Sequence, residues 1–210
     1  MYIPPAFREE RPEVLRELMR AYPLATVVAS GADGLSASQV PFVVETTAQG
    51  DVLRAHLARV NDQVAALQGS SEALVVFSGP DAYVSPSWYA TKAEHGRVVP
   101  TWNYATVHVW GRPTIIESPE WLLSHLRALT DHHEAGRAEP WSIDDAPADY
   151  IAALTRGIVG LEIPVARIEG KWKASQNQPA KNRRGVVAGL TEQGSEAMAA
   201  LVPLSDLPEA

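Results

Sequence analysis

Residues 79–104, GPDAYVSPSWYATKAEHGRVVPTWNY, constrain this chain more than any other stretch. They hold two Trp, three Tyr, two Ser, two Thr, one Asn, one Lys and three Pro, an odd mixture for a plain strand–loop–strand. Flat aromatic faces (Trp88, Tyr89, Trp102, Tyr104) lie beside small hydrogen-bonding groups (Ser85, Ser87, Thr91, Thr101, Asn103) and a cation, Lys92. Pro80, Pro86 and Pro100 fix the backbone between them. Stacking area combined with fixed donors suits a planar, polar-edged ligand with an anionic tail. An aromatic-rich core loop has the same composition, so the block alone leaves both readings open.

At 210 residues the chain is long enough for one domain, or two small ones, with a proper core. Its net charge of −7 does not attract nucleic acid as a whole, although a local basic patch is compatible with it. The absence of cysteine excludes disulfides, thiolate metal sites and cysteine nucleophiles. No basic-then-apolar leader pattern and no membrane-length apolar run is present, so a cytoplasmic protein without membrane contact is expected.

Pro12 suits the first turn of a helix over 12–22, whose apolar face is Val14, Leu15, Leu18, Met19 and Tyr22. Strands are predicted over 24–30, 35–45, 51–57 and 73–78, with the Gly31–Gly34 turn closing the first pair. Pro41 within the second marks an edge or a bulge. Asn61 caps a short helix over 62–67. A strand over 106–117 breaks near Gly111-Arg112-Pro113. Ser118 and Pro119 then open a helix to about Glu134. A second helix over 147–156 is closed by Gly157, and a strand over 158–168 follows. Residues 179–200 read as helical with interruptions at Gly189 and Gly194. Short strands on tight turns, without strand–helix alternation, predict a mainly β, α+β fold: an antiparallel β-barrel with peripheral helices.

GPDAYVSPSWY, Lys92, VVPTWNY and Val107-His108 resemble the signature of the PaiB-like family, FMN-binding proteins labelled negative transcriptional regulators. MYIPPAF at 1–7, HLARVN at 56–61 and GKWKASQNQPAKNRRGVVAGL at 170–190 match in the same order. The resemblance implies an FMN-binding split barrel over 1–190, with residues 191–210 as a C-terminal helix and tail. It also implies a homodimer with the cofactor at the subunit interface.

FMN needs cations and donors for its phosphate, small polar partners for its ribityl chain, and an apolar sandwich for its ring. No GxGxxG or Walker A loop is present, so side chains must meet the phosphate. HLARVN leaves a strand and enters a helix, a ready anion site. The resemblance places Arg59 and Asn61 on the phosphate with His56 alongside, against a surface arginine and a plain N-cap. Lys92 is the second cation, against an ordinary exposed lysine. Ser38, Gln39 and Val40 (with Ser36) line the ring edge. Family members often carry His where Gln39 stands, so a titratable group is missing there. Thr101, Trp102, Asn103 and Tyr104 supply stacking and polar contacts to the flavin of the partner subunit, or Trp102 is core. Ser175 and Gln176 cap the site or form a structural turn.

His108 shares a strand side with Trp110 and reads as a core or interface residue. His125 with His132 or His133 has helical spacing for a metal, but no carboxylate is placed with them, and a solvated helix end is the simpler expectation. Lys171, Lys173, Lys181, Arg183 and Arg184 form a local basic run. Phosphate contact or ion pairing with the acidic remainder would use it, and the latter is favoured. No DNA-binding motif accompanies the run, so neither charge nor motif supports direct DNA binding. Three functions fit: an FMN-binding regulator with a small-molecule ligand or redox input, an FMN-dependent oxidoreductase, and a haem-binding split barrel with His56 or His108 as axial ligand.

Overall fold

The first branch point follows Pro41. Strand β2 (Leu24–Gly31) turns at Gly34, whose φ of 102° few side chains tolerate, into β3 (Gly34–Pro41). The two pair in continuous antiparallel register from Leu24↔Pro41 to Gly31↔Gly34. After Pro41 the ladder stops at Phe42, and β4 (Val43–Thr47) joins a different sheet. The single strand expected over 35–45 is therefore two: the Phe42 N–H makes the last bond, to the Pro23 carbonyl at 2.9 Å, and Pro23 has no N–H to return it.

The computed structural model describes residues 1–204 of the chain, so the end of the expected tail lies outside the described residues. These form two compact units. One comprises residues 1–18, 78–107 and the described residues from Glu169. The other comprises Met19–Phe77 and His108–Ile168. Strands β6 (Ala73–Val84) and β7 (Thr101–Gly111) contribute residues to both.

In the unit containing β2, that strand lies between β3 and β6. A second sheet has the order β4-β5-β9-β8, with β5 at Gly50–Ala58, β8 at Thr114–Ile116 and β9 at Ile158–Pro164. Strands β5 and β9 are in register from Val52↔Pro164 to Ala58↔Ile158. Their alternation buries Leu53, Ala55 and Leu57 against Val159, Leu161 and Ile163. Helix α2 (Gln63–Gly69) adds Leu67 to this core. Helix α4 (Pro119–Glu134) opens as expected, with Ser118 Oγ accepting the Trp121 N–H at 3.2 Å. The strand expected over 158–168 ends at Pro164 and resumes as β10 (Arg167–Lys173).

In the other unit the strand order is β1-β10-β7-β6, with β1 at Arg8–Glu9. Strand β6 continues past Gly79 and Pro80 to Val84, six residues beyond its expected end at Ser78, and β7 begins at Thr101 rather than Thr106. Much of the aromatic block is thus strand. A 3-10 turn (Pro86–Trp88) and helix α3 (Thr91–His95) lie between. Helix α6 (Ala180–Glu192) runs through Gly189 without a break, contrary to expectation, and only Gly194, at φ 79°, interrupts before α7 (Glu196–Ala200). Gly189 marks a packing contact instead, because an added Cβ would enter the Trp88 indole. Ala82, Val84, Tyr89, Val186, Leu190 and Met198 are the buried centre of this unit. Among the described residues no helix is long and apolar enough to cross a membrane.

Candidate functional site

The aromatic block divides by environment. Trp88 and Tyr89 pack in the core. Trp102, at 50% exposure, meets Tyr83 edge to face, with 6.1 Å between centroids. Its Nε1 donates to Asp81 at 2.9 Å, which fixes the ring in place. On β10, Lys171 and Lys173 stand on one side of the strand, as residues two apart must. The Lys173 ammonium donates to Thr101 Oγ1 and to the Trp102 carbonyl. Burial, above all, pulls its pKa below the ordinary lysine value. Lys171 is only 9% exposed and lies 5.2 Å from the Tyr104 ring centre and 5.9 Å from that of Tyr2. Neither ammonium has a carboxylate partner among the described residues. Two cations held by π faces and carbonyls, beside a half-open indole, suit an anionic aromatic ligand.

Behind them lies a strained polar pair. Asn103 is 1% exposed, and its Nδ2 donates to Ser175 Oγ at 2.9 Å while its Oδ1 has no partner. Ser175 has φ 61°, the left-handed region that costs a non-glycine residue about 1 kcal/mol or more. Gln176 closes a turn: its Nε2 donates to the Trp172 carbonyl at 2.5 Å and its Oε1 accepts the Ala174 N–H at 2.7 Å. Ser175→Ala should leave both ends of Asn103 unpaired, at a cost of about 1–3 kcal/mol. An unchanged urea midpoint in that variant would show that the pair contributes nothing. Lys92 is exposed and donates to Ser87 Oγ at 3.2 Å.

The remaining predicted contacts belong to the unit containing β2. Ser38 and Asn61 meet, with Asn61 Nδ2 donating to Ser38 Oγ at 3.3 Å. Asn61 Oδ1 accepts the Gln63 N–H at 2.9 Å from one residue before Asp62, which takes the N-cap position of α2 in its place. Gln39 is exposed on the edge strand, and Val40 is 7% exposed. Arg59 is turned toward Glu117, with which it forms an ion pair, and donates to the carbonyls of Arg156 and Ile158 at 3.2 and 3.3 Å. Its fork is thereby occupied by neighbouring strand ends.

His56 has a partner that helical spacing does not disclose. Its Nδ1 lies 3.1 Å from Nε2 of His125, which is 4% exposed and so is no part of a solvated helix end. His132 and His133, by contrast, are exposed. The Trp121 ring stacks on His125 at 5.3 Å and 19°, and packs against Gly160, where any Cβ would collide with it. Arg54 lies 5.9 Å from the Trp121 centroid and pairs with Glu45 and Glu162. Burial, then the charges of His56 and Arg54, push the His125 pKa down to about 4, and burial also lowers that of His56. Leu122, three residues before His125, and Leu129, four after, already place it on the buried face, which is the signal that could have found it. Among the described residues no group of three or more His, Asp or Glu gathers as a metal site.

The basic run disperses. Lys181 pairs with Glu94 at 2.5 Å, while Arg183, 7% exposed, donates to the Pro203 carbonyl. The favoured ion pairing thus describes Lys181, whereas Lys171 and Lys173 face aromatic rings and backbone oxygens.

A family model described as "Putative FMN-binding domain" matches residues 1–167. An uncharacterized protein of Emericella nidulans is 33% identical, over 94% of this chain and 93% of that one. The Bacillus subtilis protein called protease synthase and sporulation protein PAI 2 is 29% identical, over 92% of this chain and 90% of its own. Among solved structures, the flavocytochrome Anf3 of Azotobacter vinelandii is similar with a TM-score of 0.59 and 19% identity, over 79% of this chain and 69% of that one. A FAD- and haem-binding protein of Mycobacterium smegmatis is similar with a TM-score of 0.58 and 21% identity, over 79% and 73%. At these identities the structures establish the fold, two antiparallel sheets of the flavin-binding split-barrel type with peripheral helices.

Proposed function

Because the chain belongs to the PaiB-like family of FMN-binding domains, we propose that it acts in the cytoplasm as an FMN-binding homodimer that regulates transcription through a partner. The observation that carries the binding half of this reading is the half-exposed Trp102, fixed by Asp81, next to two lysines without carboxylate partners. Those residues fit the group: the indole stacks on a flat ring, Lys171 and Lys173 attract the phosphate, and the buried, unpaired Asn103 Oδ1 can accept from a ring or ribityl donor. Bound FMN supplies reversible electron transfer at its ring. The protein's own residues bind and orient it. His56 is committed to His125, and burial lowers its pKa, which favours a structural role over proton transfer at that position. An open aromatic surface on a sheet also favours a second subunit as the other wall of the site.

An absorption spectrum before and after adding FMN is the first test. Two bands in the near-ultraviolet and blue, with FMN released on denaturation, are expected. Trp102→Ala should weaken FMN binding roughly three- to tenfold, the worth of one aromatic stack. A colourless protein that FMN cannot reconstitute would remove the cofactor half of the reading, and a single intense Soret band would assign haem instead. Steady oxidation of NADH or NADPH by the loaded protein would replace the regulator with an oxidoreductase.

A further inference from the structure

A cavity of about 280 Å³ opens between α3 with its following loop and the start of α6. This is near the small end of the range for ligand pockets, roughly 300–1,000 Å³. None of the residues proposed to hold FMN lines it. Its floor is a closed polar network. The Thr91 N–H donates to Asn182 Oδ1 at 3.1 Å, and Asn182 Nδ2 donates to Thr91 Oγ1 at 3.0 Å and Gln178 Oε1 at 3.1 Å. Asn182 is 2% and Thr91 7% exposed, so this pair is a rigid part of the floor. The Gln178 amide still has its Nε2 donor without a partner among the described residues.

The walls combine one cation with apolar surface. Helix α3 ends at Gly96, whose φ of 65° turns the chain so that Arg97 stands at the cavity. The Arg97 guanidinium has no partner among the described residues; the residue's bond to His95 uses its backbone N–H. The acid on α3, Glu94, is taken by Lys181 at 2.5 and 2.6 Å, which leaves the positive charge of Arg97 uncompensated. Val98, Val99, Pro179 and the Tyr89 ring supply the apolar lining. Val99 is 73% exposed and offers its apolar surface at the cavity.

We propose that this cavity is a second ligand site, which takes a small organic monoanion: a carboxylate on a compact apolar body. One guanidinium matches one carboxylate in its two-pronged geometry, the Gln178 amide adds a neutral donor, and the valines and Tyr89 cover the hydrocarbon part. A dianionic phosphate would find only one cation here, and an uncharged hydrocarbon would leave Arg97 unmatched.

The test is calorimetric titration of the FMN-loaded full chain with benzoate. Benzyl alcohol serves as the uncharged isostere and acetate as the carboxylate without an apolar body. Benzoate is expected to bind one per chain, with both controls about tenfold weaker or more. Arg97→Gln should weaken benzoate binding about ten- to a hundredfold and leave flavin content and Tm unchanged, since the side chain is exposed. Val99→Ser, a second exposed substitution, should also weaken benzoate but not acetate. No benzoate binding up to about 10 mM, a regime far weaker than ordinary effector affinities, would overturn the proposal. So would equal binding by the Arg97→Gln variant. Release of FMN in step with benzoate uptake would overturn the separateness of the site, while leaving FMN binding itself standing.

Discussion

Replacing Gly185 by alanine is expected to destabilise the unit that contains α6, although the same change in an ordinary helix stabilises by about 1 kcal/mol. Gly185 and Gly189 are four residues apart and so share one face of α6. Both meet Trp88. A Cβ on Gly185 would overlap the Trp88 carbonyl oxygen, and one on Gly189 would enter the indole ring. The first obstacle is backbone, held by Pro86 and by Ser85 Oγ accepting the Ser87 N–H, so it cannot move aside cheaply. Overpacking of this kind costs about 1–3 kcal/mol and sometimes more, which outweighs the gain in helix propensity. Urea unfolding of Gly185→Ala should show a lower midpoint. Gly69→Ala is the control, since no atom lies within 4 Å of its added Cβ and its φ is not positive. If the two variants behaved alike, the Trp88 contact would have no energetic weight.

Acidification should weaken the other unit through the His56–His125 pair. Both imidazoles have folded-state pKa values below the ordinary 6.5, that of His125 about 4. The unfolded chain therefore takes up their protons first as the pH falls. The stability they support is fully present above about pH 6.5 and is lost progressively as the pH drops from there toward 4. For His125 a shift from 6.5 to about 4 corresponds to about 3 kcal/mol once the pH is below both values. The cause is physical crowding. His125 lies between Trp121 and His56, its Nδ1 has no partner, and a second proton would leave two cations 3.1 Å apart with Arg54 nearby. Unfolding free energies at pH 7, 5.5 and 4.5 would measure the slope. His125→Leu should flatten it, because carboxylate contributions remain while the imidazole term goes. Parallel slopes in the two proteins would rule out the pair as the acid-sensitive element.

Local signals were sufficient where a residue acts on its own backbone. Ser118 and Pro119 start α4, and Gly31 to Gly34 close a hairpin, since each is decided by φ or by one hydrogen bond within a few residues. Gly189 was misread by the same logic. Local propensity cannot distinguish a glycine that breaks a helix from one that admits an indole from elsewhere in the chain. The basic run illustrates the limit for charge. Lys171, Lys173 and Lys181 lie within eleven residues, yet strand alternation and helix phase send them to two tyrosines, a carbonyl and a glutamate.

By itself the sequence determined that the chain is mainly β with peripheral helices, where most elements begin and end, and which family's blocks it carries. Turn chemistry, proline positions and block order are encoded over short distances. Only the tertiary structure decided which aromatics are core and which stay open, that Arg59 faces Glu117, that His56 finds His125, and that Arg97 stands unpaired over a polar floor. Those outcomes depend on partners brought together from distant parts of the chain, 58 and 69 residues apart for Arg59 and His56. No local pattern encodes which distant side chain will fill a given space, because packing selects among many residues of equal propensity.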